Sequence, residues 1–293
     1  MIEGKKMNTY HIYSEGDLVL FRDNSDKIYF NNKYAVASYK TSVDTLGSCI
    51  LSTHFHTVAD ADNEEQVEEL EHILKVSYGM YYRHKYGHTI GNNFRIKHSR
   101  VVGKENISDK LVYVMANPVH HFISESPFTE QFSSASYIFT KENMPLVFRK
   151  AVAGYVTTLG KLTTRRRLEL LSKDSLPDDY YVDPEGFILP NSFINVAKAR
   201  AYFNGSIRRF RYLVDTSLKD KNKKDIDECR QSVLCDGVDD EKVCAIIDRY
   251  AAECGHQSFH YFSEKELKWI QSDLRSRGIS QEQCLRCLWL PSD

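Results

Sequence analysis

No stretch of the 293-residue sequence is apolar for long enough to span a bilayer. Met1-Ile2-Glu3-Gly4-Lys5-Lys6 lacks the apolar core of a secretory signal, so a cytoplasmic protein is expected. Net charge is also scarce. The formal value is −1, which gives whole-chain electrostatics no pull toward a nucleic acid. The seven cysteines are odd in number and none falls in the first 48 residues. Without a secretory signal they are expected to be reduced thiols. Cys284-x-x-Cys287 has zinc-ligand spacing, with Cys244, Cys254 and His256 upstream. A structural zinc site needs two well-spaced pairs, and the second is not formed here. Cysteines three apart on an apolar helix pack side by side instead.

Hydrophobic residues make up 42% and charged residues 27%, the balance of a globular protein, and the length suits two domains. The cations are clustered. Residues 148–173 carry seven Lys/Arg against Glu169 alone, and residues 198–224 carry nine against Asp215 and Asp220. Such clusters suit a phosphate backbone or form solvated helix faces.

Thr9 to Tyr13 alternates β-formers and reads as a first strand. A helix follows from Asn24 to about Lys40, capped by Asn24 or Ser25. Gly47 to Leu51 and His54 to Ala59 read as adjacent strand segments. Asn63-Glu64-Glu65 opens a long helix to about Lys85, with Val67, Leu70, Ile73, Leu74 and Tyr78 as its buried stripe. It ends in the aromatic and basic run Tyr81 to Tyr86. Phe94 to Val101 alternates strictly as a strand. Asp109 to Val119 reads as a short helix capped by Ser108 or Asp109 and closed by Pro118. The order β, α, β, β, α, β, α predicts an α+β fold. It is a ferredoxin-like split β-α-β sandwich, an antiparallel sheet with helices, in which the first and third strands are central neighbours.

Side chains alternate across a strand, so His54 and His56 share a face, about 7 Å apart along the chain. Two neutral imidazoles so placed suit a shared divalent ion or are ordinary strand histidines. Tyr113 and Asn117 stand four residues apart, just over one helical turn, and project from one helix face.

Three ordered blocks resemble the IS200-like, REP-associated tyrosine transposases of the HUH superfamily. They are Tyr10-His11-Ile12-Tyr13-Ser14-Glu15-Gly16 followed by Leu20-Phe21-Arg22-Asp23, then His54-Phe55-His56, then Val112-Tyr113-Val114-Met115-Ala116-Asn117-Pro118-Val119. Phe132-Ser133-Ser134-Ala135-Ser136-Tyr137 is similar to the family's closing motif, and the match covers about residues 7–140. The resemblance implies Tyr113 as nucleophile and His54, His56 and Asn117 as ligands of Mg²⁺ or Mn²⁺. It implies cleavage and rejoining of single-stranded hairpin DNA through a 5′-phosphotyrosine intermediate, by a homodimer. A second reading is a domesticated relative that binds hairpin DNA without turnover. A third is an RNA-binding module, since the same sandwich serves RNA-binding domains. The chain departs from the family at Thr53, where asparagine is common, at Glu15 in the first loop, and at His120-His121-Phe122 after Asn-Pro-Val.

Candidate DNA contacts are Arg83, Lys85, Arg95, Lys97, Arg165, Arg166 and Arg167. Residues 141–293 are expected to form a mostly helical C-terminal region beyond a transposase domain at 1–140. Phe148 to Leu171 reads as one or two helices, Leu176 to Tyr180 as a linker and Phe187 to Pro190 as extended. Asn195 to Leu218 reads as helical with a break near Gly205, Lys219 to Lys224 as a solvated loop, and Asp239 to Ala252 as a helix. Helix Glu266–Arg277, the Arg277-Gly278-Ile279 turn and a second helix capped by Ser280 form a helix-turn-helix pattern within 263–290. It resembles the helical extensions of some transposases.

Overall fold

In the computed structural model, which describes residues 7–16, 18–121, 123–139, 156–220 and 238–291, four strands form one antiparallel sheet. They are β1 (Asn8–Glu15), β2 (Asp44–Ile50), β3 (Phe55–Ala61) and β4 (Arg95–Val101), in the order β2-β3-β1-β4. β3 is therefore central, and every residue of it is buried. β1 runs two residues past its expected end, because Ser14 and Glu15 pair with Ile96 and Arg95.

The alternation of β1 and β3 sorts their side chains between two cores. Tyr10, Ile12, Phe55 and Ala59 face α1 (Asn24–Thr41) and α2 (Glu64–Tyr86). Val58, with Leu46 and Cys49 of β2, faces α3 (Lys104–Met115). Helix ends follow local chemistry. Asp23, not Asn24 or Ser25, caps α1 by accepting from Asp26 N, and Asn63 caps α2 through Gln66 N.

The helix expected at Asp109–Val119 is two helices. α3 starts earlier, after Gly103 at φ +95°, and Ser108 lies inside it with its hydroxyl donating to the Glu105 carbonyl. It stops at Met115. Asn117 opens α4 (Asn117–His120), and Pro118 sits in the first turn of that helix, where a missing N–H costs nothing. Proline here starts a helix and does not close one.

After α5 (Ala135–Phe139), the described part of the stretch expected as one or two helices over Phe148–Leu171 holds a short strand, Thr157–Thr158 (β5), and then the helix α6 (Thr164–Leu171). β5 pairs with β6 (Tyr181–Val182), which consumes the backbone groups a continuous helix would need. The chain then forms α7 (Val196–Ala201), α8 (Ile207–Asp220), α9 (Asp240–Glu253), α10 (Glu264–Ser276) and α11 (Gln281–Leu288). Residues Met1–Lys6, Phe122, the expected helical stretch 148–155 with Arg149 and Lys150, and loop residues 221–224 lie outside the described residues. A four-strand antiparallel sheet with helices is thus followed by a mostly helical region. No helix among the described residues is long and apolar enough to cross a membrane.

The later segments complete the earlier cores. Phe187 and Leu189 join the α1–α2 core, while Phe203, Phe210 and Val214 join the α3 core. Val19 joins the core of α9, α10 and α11. Cys244, Cys284 and Cys287 are buried in that last core, and His256 hydrogen-bonds Glu266. α11 is not a free-standing helix. Its Arg286 side chain is held by Asp240 at 2.7 Å, and the Arg286 carbonyl accepts from Val19 N.

Candidate functional site

The two sequence blocks singled out for chemistry meet on the α3 face of the sheet. His56 lies on β3, and His54 sits one residue before that strand begins. A turn holds it there: Leu51 N donates to the His54 carbonyl at 2.8 Å, and Leu20 N and Phe21 N both donate to the Ser52 carbonyl. The Thr53 hydroxyl lies 2.8 Å from His54 Nδ1.

α3 crosses over this face at close range because β2 offers it a glycine. A Cβ at Gly47 would stand 3.0 Å from Leu111 Cδ2 and 3.6 Å from Met115 Cγ. The Phe132–Tyr137 motif fastens the far end of α3. Ser133 Oγ donates to the Met115 carbonyl at 2.8 Å, one of the carbonyls a helix end leaves open. Its neighbours pair with β2, Ser134 N to Ser48 O and Ile50 N to Phe132 O. The motif therefore ties the tyrosine helix to the sheet edge.

Tyr113 stands above the histidines, 36% exposed. Its ring centroid lies 5.2 Å from that of His56 and 6.1 Å from that of His11. Asn117 is completely buried, and its Oδ1 lies 3.3 Å from His54 Nε2. Asn117 Nδ2 makes no hydrogen bond of good geometry among the described residues. The amide is still close enough to the Tyr113 phenol to favour its ionised form. Burial outweighs that and raises the phenol above its ordinary value, with Cys49 adding to the rise. The Lys110 ammonium sits 5.0 Å from the Tyr113 ring centroid. Burial lowers the Lys110 pKa.

The imidazoles are held neutral. Burial, with smaller contributions from the His54, His11, His121 and Lys110 charges, pushes His56 down to about 2. Burial and the Lys110 charge push His11 down to about 3. Burial lowers His54, against the favourable contact with Asn117. Neutral nitrogens are the form that ligates a metal. An ion with ligands about 2.1 Å away at right angles separates its two donor atoms by about 3 Å. The 3.3 Å between His54 Nε2 and Asn117 Oδ1 is close to that edge. The donor types, imidazole nitrogen and amide oxygen, suit a small divalent ion, and the His56 ring stands 4.9 Å from that of His54. Among the described residues, no group of three or more His, Cys, Asp or Glu side chains is arranged to hold a metal.

Several residues that the sequence named without giving them a role belong to this site. His11 and Tyr13 of β1 lie beside His56, their rings 5.1 and 6.1 Å from its ring. His121 lies 5.3 Å from His54, and His120 lies 5.9 Å from Tyr113. A signal was available: His11 and Tyr13 alternate on one strand, and Lys110 precedes Tyr113 by one helical turn.

The expected DNA contacts are scattered. Lys85 donates to Asp23 and Asp26 at 2.7 and 2.6 Å. Lys97 pairs with Glu15 at 2.5 Å, and Arg95 donates to the Asn92 carbonyl. Arg83 is exposed on the last turn of α2. Arg165 and Arg166 pair with Glu169, and Arg167 pairs with Asp178. Those three lie on α6, whose Leu171 packs on Ala35 and Val36 of α1, so the sheet separates them from Tyr113. α8 differs. It packs on the α3 core through Phe210 and Val214, and its Ser217 hydroxyl lies 3.1 Å from His120 Nε2. Arg208, Arg209 and Arg211 are exposed on that helix and form no ion pair among the described residues.

No family model and no curated protein matches the chain. Among solved structures it is similar to a REP-associated tyrosine transposase bound to a REP hairpin. The TM-score is 0.33 with 13% identity, over 46% of this chain and 82% of that one. A likeness this distant carries no argument about chemistry.

Proposed function

We propose that the protein cleaves and rejoins single-stranded hairpin DNA, with Tyr113 as nucleophile and His54, His56 and Asn117 as ligands of Mg²⁺ or Mn²⁺. The supporting observation is that the Tyr113 ring lies 5.2 Å from His56 while His54 Nε2 and Asn117 Oδ1 face each other. In this reading Tyr113 Oη attacks a backbone phosphorus. The Oη–P bond forms as the bond to the 3′ oxygen breaks. The phenol loses its proton and the 3′ oxygen gains one. The phosphotyrosine link keeps the bond energy, so a 3′-hydroxyl elsewhere can reverse the step without ATP.

A phenol is a weak nucleophile at neutral pH, and burial weakens Tyr113 further. Two features of the chain act the other way. The Asn117 amide favours the phenolate, and the Lys110 ammonium over the ring is the charge that would offset it. A divalent ion, when bound, polarises the scissile phosphate. Thr53 holds the His54 ring, and Asn117 lies one helical break beyond Tyr113, so α3 and α4 bring nucleophile and ligand together.

The test is a labelled single-stranded hairpin DNA incubated with Mn²⁺ and analysed under denaturing conditions. A covalent adduct is expected for the wild type and its loss for Tyr113→Phe. Hairpin binding without any adduct across varied hairpins would replace this reading with that of a DNA-binding relative without turnover.

A further inference from the structure

His11 is adjacent to the proposed metal ligands and has no role in the reading above. β1 and β3 pair so that Tyr13 lies opposite His56 and His11 opposite Val58, which places His11 diagonally across from His56. The two imidazoles lie nearly parallel, 21° apart, and His11 Nε2 is 3.1 Å from His56 Nδ1. Tyr13 stacks on His11 with centroids 4.7 Å apart and the planes 17° from parallel, which fixes the ring of His11 in turn. His11 and His56 are both buried. Water is therefore a poor substitute for either partner.

A neutral imidazole has one donor nitrogen and one acceptor nitrogen. A single proton sits between these two rings, and there are two ways to place it. If His11 Nε2–H donates, the proton of His56 is on Nε2, and that nitrogen has no lone pair to offer an ion. If His56 Nδ1–H donates, His56 Nε2 keeps its lone pair. Nδ1 itself is engaged by His11 and is not available as a ligand.

We infer that His11 is a positioning residue that accepts a hydrogen bond from His56 Nδ1–H and so holds His56 in the tautomer whose Nε2 can ligate a metal. The inference rests on the metal site proposed above. Ligating histidines commonly donate their second N–H to a carboxylate, a carbonyl or water. Here the acceptor would be another imidazole, supplied by the first strand of the fold.

The test uses the full chain with ¹⁵N-labelled histidine. Long-range ¹H–¹⁵N correlation in the metal-free protein is expected to place the His56 proton on Nδ1. Mn²⁺ uptake, followed by the electron spin resonance of the free ion, is expected to weaken about 10- to 100-fold in His11→Phe. His11→Gln keeps a carbonyl that can accept from Nδ1–H and is expected to restore most of the affinity. Circular dichroism melts check that both variants fold. A proton found on His56 Nε2 overturns the inference. So does a folded His11→Phe with wild-type uptake, or a His11→Gln that loses as much affinity as His11→Phe. Wild-type protein that takes up no Mn²⁺ overturns the metal reading itself, an outcome distinct from unchanged uptake in His11→Phe.

Discussion

Arg22 is fully buried and donates to Asp248 at 2.7 Å, joining the β1–α1 connection to α9 across 226 residues of sequence. Its other terminal nitrogen donates to the Cys287 carbonyl at 2.7 Å, and its guanidinium lies 3.8 Å from the centre of the Phe259 ring. The same connection carries Leu20 and Phe21, whose amides hold the turn before His54. The C-terminal helices and the histidine turn are therefore fastened to one loop.

Removing one partner of a buried ion pair leaves a charge uncompensated. Asp248→Asn is expected to cost about 2–4 kcal/mol, at the lower end for such pairs because Asp248 is 38% exposed. Urea denaturation measures it. A loss under about 0.5 kcal/mol, the range of ordinary surface substitutions, would show that the pair does not hold α9 in place.

Gly47 sets how closely α3 lies on the sheet. Gly47→Val adds methyl groups where even a Cβ stands 3.0 Å from Leu111. A cost of about 1–3 kcal/mol is expected from overpacking, with a lower yield of Tyr113–DNA adduct per folded molecule. Wild-type stability in this variant would mean that α3 shifts freely.

His98 links β4 to α2 and makes stability depend on pH. Burial works against its charge, but hydrogen bonds and attraction from Glu64 and Glu71 prevail, and its pKa is raised in the fold. The folded state thus holds the proton more tightly than the unfolded one. The stabilisation is fully present below the unfolded value, about 6.5, and disappears as pH rises through the higher folded value. His98→Gln is expected to lower the melting temperature more at pH 5.5 than at pH 9. An equal loss at both values would leave only packing at this position.

The basic face of α8 and the triplet on α6 separate two views of DNA contact. Arg208, Arg209 and Arg211 form no ion pair among the described residues on the helix that touches His120, whereas Arg165, Arg166 and Arg167 are paired on the other side of the sheet. Replacing the α8 trio with glutamine is expected to weaken single-stranded DNA binding and reduce the salt slope of log K by about 2, from three phosphates at about 0.7 each. The α6 trio replaced in the same way should change the slope little. Fluorescence anisotropy at several salt concentrations measures both, and the opposite ranking would place the strand over α6.

Much of the fold follows from local pattern. Strand alternation placed β1 and β4, apolar periodicity placed α1 and α2, and a serine cap placed α11. Tyr113, Asn117, His54 and His56 could be singled out because ordered motifs carry them. Other features were not legible. Pro118 reads as a helix end along the chain, yet it opens α4, because a proline's missing N–H is tolerated at a first turn. Ion pairs such as Lys85–Asp26 join residues far apart in sequence, so charge counting along the chain could not tell a spent cation from an available one.

The sequence by itself determined which residues lie on which face of each strand and helix, since those periods are properties of the backbone. Only the tertiary structure decided which faces meet. The adjacency of β1 and β3 was expected from the element order, but only their register, Tyr13 opposite His56, brought His11 to His56. Gly47 let α3 lie low enough for Tyr113 to stand over both. Pairings between separate elements depend on how the layers pack, and no local period encodes that.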